Sequence, residues 1–308
     1  MAVRQEFLDL FARRAAEGFP AISSVPLEHF RRLALPDPTI HGRREQIHQV
    51  EDRFIVGPSA YLPVRIYRPS AAANLPAMVF FHGGGWVTST VDHYDQALSN
   101  FANLLNTVVI AVTYQKAPEH PFPIPFDDCY ATLKWVVDNN EMLEIDLNKI
   151  GVAGDSAGGN LAAAVALKAR DESLVTLAYQ LLIYPATDPT LDSDSAKRNA
   201  TGYGLTRDSM FWYLKQYIQD EKDLQNPYAW PALARTHTNL PPAVVMTASY
   251  DVLYDDGLAY AKKLQSAGVE VTHINYEDAI HGCLVLAGLS DFSHTLQSDL
   301  AQAVARYL

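Results

Sequence analysis

The chain has 308 residues, 48% of them hydrophobic, which is enough to bury one large core in a single domain. A formal net charge of −11 without any Lys/Arg-rich run argues against a phosphate-binding face for nucleic acid, and no apolar stretch reaches transmembrane length. Two cysteines, Cys129 and Cys283, are too few for a disulfide framework and fit a reducing compartment.

The N-terminal stretch from Met1 to Arg14 shows no continuous apolar segment and no cleavage signal, so a cytoplasmic protein is expected. Phe7, Leu8, Leu10 and Phe11 have the spacing of an amphipathic helix, and the proline-rich Leu35 to Pro38 is expected to end the N-terminal helical segment. Residues 51–57 and 62–67 read as an opening antiparallel pair. Further strand patterns at 76–81, 107–113, 149–153, 177–183, 242–247 and 269–275 alternate with helical ones. Such alternation predicts an α/β protein with a mostly parallel eight-stranded sheet, helices on both faces and a site at the carboxyl ends of the strands. Residues 186–232 break the alternation with a polar run, an aromatic helix from Met210 to Ile218, and Asn226-Pro227-Tyr228. Together with residues 1–45 they are expected to form a helical cap on a single domain spanning 1–308.

Three motifs carry chemistry. Gly154-Asp155-Ser156-Ala157-Gly158, set between a strand and an Ala/Leu-rich helix, has the context of a turn that lifts a serine hydroxyl clear of a sheet. The helix starting there aims free N–H groups at a reacting carbonyl, with Ala157 as the first donor. Upstream, Met78-Val-Phe-Phe81 runs into His82-Gly83-Gly84-Gly85-Trp86, whose glycines leave backbone amides uncovered; Gly83 and Gly84 are the expected oxyanion donors. No Lys-Ser/Thr pair follows, which disfavours a phosphate loop. Asp251 and His281 each stand just after a strand pattern, completing the chain order Ser…Asp…His. Asp255 and Asp256 fall inside a following helix, where acids complement its N-terminal dipole.

With these motifs, and with Tyr114 to Pro123 and Leu181 to Pro185, the chain resembles the hormone-sensitive-lipase family of α/β-hydrolase esterases. The resemblance covers most of residues 76–285. It implies an α/β-hydrolase fold, a Ser156–Asp251–His281 triad, and an oxyanion hole at Gly83, Gly84 and Ala157. It further implies a serine carboxylesterase that hydrolyses short- to medium-chain acyl esters through an acyl-enzyme, with no metal or cofactor; the charge and the lack of a long apolar run already argue against a nucleic-acid or membrane partner. Amidase, deacetylase and lactonase chemistry use the same triad, and a non-catalytic receptor uses the same fold, so these stay open, as does monomer against homodimer. Trp86, Met210 and Leu214 are candidates for the substrate wall, although an apolar stripe of this kind also suits packing of the cap.

Departures from the family pattern carry their own expectations. Gln115 replaces the usual arginine of the Tyr-Arg-Leu-Ala-Pro-Glu run, which should leave Glu119 without an ion-pair partner. Val252 and Tyr254 replace the proline and arginine that usually follow the acid. Cys283 replaces a phenylalanine and should loosen the pocket beside His281.

Overall fold

The structure is a computed structural model that describes residues 2–308. Eight strands form one sheet: β1 (Gln49–Val56), β2 (Tyr61–Arg68), β3 (Leu75–Phe81), β4 (Val108–Val112), β5 (Ile145–Asp155), β6 (Tyr179–Ile183), β7 (Ala243–Tyr250) and β8 (Val271–Ile280). Their spatial order is β1-β2-β4-β3-β5-β6-β7-β8. β2 pairs antiparallel with both β1 and β4, and the pairs from β4 through β8 are parallel.

The continuous apolar strands are explained by burial on both faces. Along β3, Ala77, Val79 and Phe81 face one core, and Met78 and Phe80 face the other. In β4 the same period-two division sends Ile110 to the first core and Val109 to the second. Before the first strand come α1 (Gln5–Ala16), α2 (Leu27–Leu33) and α3 (Pro38–His41); between strands α4 (Asp95–Leu105), α5 (Ile124–Asp138), α6 (Asn140–Leu143), α7 (Ala157–Asp171), α8 (Asp194–Arg198), α9 (Arg207–Tyr217) and α10 (Tyr254–Ser266); and after the last α11 (Phe292–Ala305). Helices α5, α7 and α10 cover the first core through Leu133, Leu161 and Leu264; α4 and α11 cover the second through Leu98 and Leu296.

Two sequence expectations shift. The N-terminal helical segment does not end at Pro38: that proline opens α3, where its missing N–H costs nothing, and Asp37 caps the turn by accepting from the Thr39 N–H at 2.8 Å. In α1, Phe7 and Leu10 are buried, whereas Leu8 is on the outer side. Three strands run further than their hydrophobic patterns indicate. β5 ends at Asp155, β7 at Tyr250 and β8 at Ile280, each one residue before a candidate group for chemistry.

Helix α7 starts close beneath the end of β3, and a Cβ at Gly158 would overlap the Phe81 carbonyl oxygen. That atom is fixed backbone, so neither side can yield. Gly158→Ala is therefore expected to destabilise the protein by about 3 kcal/mol, or about 5 °C in Tm for a chain of this size. Thermal unfolding followed by circular dichroism measures it.

Candidate active site

Ser156 lies between β5 and α7 at φ 55° and ψ −120°, a conformation that non-glycine residues rarely adopt. The space for it comes from Gly154 and Gly158, which press against each other without side chains. The Ser156 hydroxyl lies 2.8 Å from Nε2 of His281, and Nδ1 of that ring lies 2.6 Å from Oδ2 of Asp251. Because a carboxylate accepts and does not donate, Nδ1 carries the proton and Nε2 is left to accept from the serine. The acid is held in turn: its Oδ1 accepts from the Leu253 N–H at 2.9 Å, and Asn199 Nδ2 donates to its backbone carbonyl at 2.8 Å. The Tyr184 ring packs 4.6 Å from the imidazole.

The neighbouring acids have other work. Asp255 accepts from the Ser195 N–H at 2.7 Å, which ties α10 to α8. Asp256 is buried in the first turn of α10, and burial, followed by the charges of Asp188 and Asp251, pushes its carboxyl up. Among the three, Asp251 is the one the structure brings to His281.

One expected donor is displaced. The Gly83 N–H is already taken, bonded to Asp155 Oδ1 at 2.8 Å and to the Tyr94 hydroxyl at 2.9 Å. Asp155 is buried, and its carboxyl, raised to about 6 chiefly by that burial, also accepts from Tyr94 at 3.1 Å and Tyr184 at 3.3 Å. Such a carboxylate needs donors, and Gly83 is one of them. The amides of Gly84 and Gly85, at φ 100° and 61°, have no acceptor among the described residues, and neither has that of Ala157. The third uncovered amide is therefore Gly85, not Gly83. The loop holds its shape because the Gly84 carbonyl accepts from the Val87 N–H at 3.1 Å and the Thr88 N–H at 2.9 Å. A Cβ on Gly85 would overlap the Tyr213 ring from α9. His82 is buried and stacked 4.3 Å from Tyr114. Burial, then the charge of Lys116, lowers its imidazole to about 3, so it is neutral and donates from Nδ1 to the Gly83 carbonyl at 2.7 Å.

Glu119 does have a partner. Arg31 of α2 meets it with two hydrogen bonds, at 2.7 and 2.9 Å, and donates also to the carbonyls of Val87 and Ala117, both at 3.0 Å. The guanidinium missing at position 115 is thus replaced from a distant helix, while Gln115 turns to Asp128, its N–H donating at 2.9 Å.

A cavity of about 600 Å³ opens beside His281, walled by Leu10, Phe11, Ile22, Leu205, Ser209 and Tyr213 among others. The substrate-wall candidates are corrected by this arrangement. Trp86 is fully buried, stacked 4.3 Å from Tyr217 and edge-on to Trp230 at 5.9 Å. Met210 is buried in the same core, and Leu214 packs against it. The stripe of α9 that reaches the cavity is Ser209 and Tyr213, one position earlier in each turn. Apolarity marked the face that packs inward; a polar-aromatic pair lines the space. Cys283 is likewise fully buried in the core against α11, its carbonyl accepting from Ser293 at 2.7 Å, so it does not loosen the pocket. No group of His, Cys, Asp or Glu among the described residues is arranged to hold a metal, and no helix among them is long and apolar enough to cross a membrane.

A profile of the alpha/beta hydrolase fold family matches residues 78–285. The carboxylic ester hydrolase LipN of Mycobacterium tuberculosis is 34% identical over 288 residues, covering 91% of this chain and 75% of LipN. The ethyl acetate hydrolase of Pseudomonas putida is 37% identical, over 84% of this chain and 83% of its own. Among solved structures, the ester-hydrolase EH1AB1 from the metagenome of Lake Arreo, complexed with a bipyridine phosphonate derivative, superposes with a TM-score of 0.94 at 34% identity, covering 99% of both chains. The chain belongs to the alpha/beta hydrolase fold family and, within it, to the hormone-sensitive-lipase-like group.

Proposed function

We propose that the protein is a serine carboxylesterase acting on small esters of short to medium acyl length, with Ser156, His281 and Asp251 as its triad. The observation that carries this reading is the unbroken hydrogen-bonded line from Ser156 through His281 to Asp251 beside the cavity. Membership of a family whose relatives include a carboxylic ester hydrolase and an ethyl acetate hydrolase supports carboxylic esters as the substrate.

In this mechanism Ser156 Oγ attacks the ester carbonyl carbon as its proton passes to His281 Nε2. Asp251 keeps the imidazole in the right tautomer and stabilises its charged form. The carbonyl oxygen, now negative, meets the amides of Gly84, Gly85 and Ala157, which are already oriented and need no reorganisation. His281 then protonates the leaving alcohol. Water enters, gives a proton to His281 and attacks the acyl-enzyme, releasing the acid and regenerating Ser156. No metal or cofactor takes part, and the enzyme works as a monomer or homodimer in the cytoplasm. Segments 1–45 and 186–232 act as a cap that limits substrate size, since Leu10, Ile22, Leu205 and Tyr213 in the cavity wall all come from them. The same triad serves amides and lactones, so matched amides belong in the assay.

A fluorophosphonate probe is expected to label one serine, with both labelling and turnover abolished in Ser156→Ala. With p-nitrophenyl esters of increasing length, kcat/KM should peak at short to medium chains and exceed that of matched anilides. Labelling that survives the mutation, or a maximum at palmitate length, would refute the reading.

Asp251→Asn is expected to lower kcat by about 10⁴, because the amide favours the wrong imidazole tautomer. Asp255→Asn and Asp256→Asn should cost at most about tenfold, through the packing of α10. Steady-state kinetics on folded variants separates them.

Arg31→Met should lower kcat by about tenfold with little change in KM, as the loop bearing Gly84 and Gly85 loses its anchor at the Val87 carbonyl. The half-exposed ion pair to Glu119 itself contributes little, on the order of 1 kcal/mol or less. Arg31→Lys should recover part of the rate.

A further inference from the structure

The cavity wall beside His281 contains a single charged side chain, Arg14, and no carboxylate. His41 is also in the wall, but burial and the neighbouring His93 lower its imidazole to about 4, so it is neutral. Arg14 stands in the last turn of α1 and borders a second cleft of about 570 Å³ as well, sharing Phe19, Pro20, Phe30 and His41 between the two spaces. Its guanidinium sits 5.2 Å from the centroid of the Phe19 ring, and the Phe19 N–H is bonded to the Arg14 carbonyl at 2.8 Å. Side chain and backbone thus hold the cation at the partition between the two cavities.

What Arg14 lacks is an anion. Other half-buried arginines of the chain have one: Arg31 meets Glu119 at 2.7 Å, and Arg65 meets Asp52, Asp92 and Asp95 at 2.6, 2.8 and 2.9 Å. No carboxylate among the described residues comes within ion-pair distance of Arg14, although the chain holds 35 acidic side chains against 24 basic ones. Glu17, which lines the second cleft, lies one turn away and outside ion-pair distance, its charge ranking behind burial and Arg13, while Asp37 of the same cleft is occupied in capping Thr39. A partly desolvated guanidinium without a counter-ion is a standing cost that an incoming anion removes. The planar fork of arginine suits a carboxylate, which it can bind through two parallel hydrogen bonds. The same wall also carries Phe11, Ile22 and Leu286, apolar surface that suits a methylene chain.

We propose that Arg14 forms an anion-binding subsite and that the preferred substrates are esters carrying a carboxylate at the far end of one arm, as in monoesters of dicarboxylic acids. The proposal rests on the serine-esterase reading above. A neutral ester fills the same apolar channel but leaves the guanidinium unpaired, so the carboxylate is selected by what it satisfies.

The test compares kcat/KM for ethyl hydrogen succinate, adipate and suberate with that for ethyl alkanoates of the same chain length. At one length at least, the half-ester should be preferred about tenfold, as expected for a charge-assisted hydrogen bond at a half-buried site. Arg14→Met should reverse that preference, Arg14→Lys should keep part of it, and added salt should weaken it. The ratio of the two substrates within one variant cancels any effect of the mutation on folding or on the triad. Neutral esters preferred at every length, or a ratio unchanged in Arg14→Met, would overturn the subsite. If no ester is hydrolysed at all, the esterase reading has failed, and calorimetry with monomethyl adipate decides the subsite alone. Binding lost in Arg14→Met supports it, and equal binding in both proteins refutes it.

Discussion

The close approach of α7 to the end of β3 is the constraint on which the site depends. Gly158 lies against the Phe81 carbonyl, and Gly154 against Gly158, with no room for a Cβ at either position. This contact turns the chain so sharply that Ser156 takes a strained left-handed φ, with its hydroxyl above the sheet and the first N–H groups of α7 beside it. It also brings the two glycine-rich segments so near that Asp155, next to the serine, hydrogen-bonds Gly83 of the other loop. A single backbone contact thus places the proposed nucleophile and the proposed oxyanion donors together. Packing supplies the energy that keeps the strained residue in place.

Much of this was legible in the sequence, for a simple reason. Strands buried on both faces read as apolar runs, and the groups for chemistry follow directly after three of them: Ser156, Asp251 and His281. Where reading failed, the decisive partner was distant in the chain. Gly83 and Gly85 look alike in a run of three glycines, and what separates them is the buried Asp155 carboxylate, which claims the first amide from 72 positions away. Glu119 seemed orphaned because its arginine arrives from α2, 88 positions earlier. Trp86, Met210 and Leu214 were drawn toward the substrate by their apolarity, yet apolarity is the property that packs them into the core that holds Tyr217 and Trp230. A pocket wall must stay partly open, so its residues are less apolar than those of the core behind it.

The N-terminal segment is more than a cover. Through Arg31 it grips the loop after the three glycines, and through Phe30 and His41 it contributes to the cavity wall. The chain is strongly acidic overall, yet the charged side chain in the wall of the cavity beside His281 is the cation Arg14. Local field and net charge need not agree in sign, because exposed charges are screened within a Debye length of ~10 Å and half-buried ones much less.

The ring of Tyr213 rests against Gly85, so helix α9 and an oxyanion amide share one contact. On the proposed mechanism, a substrate that pressed on α9 would push the ring toward the amide proposed to meet the forming negative charge. Bulk in the cavity is then felt during bond-making as well as during binding. Discrimination between ester arms becomes a matter of turnover, and a poorly fitting molecule can occupy the pocket tightly while reacting slowly. Such a ligand acts as an inhibitor on account of its shape alone, with its ester bond intact.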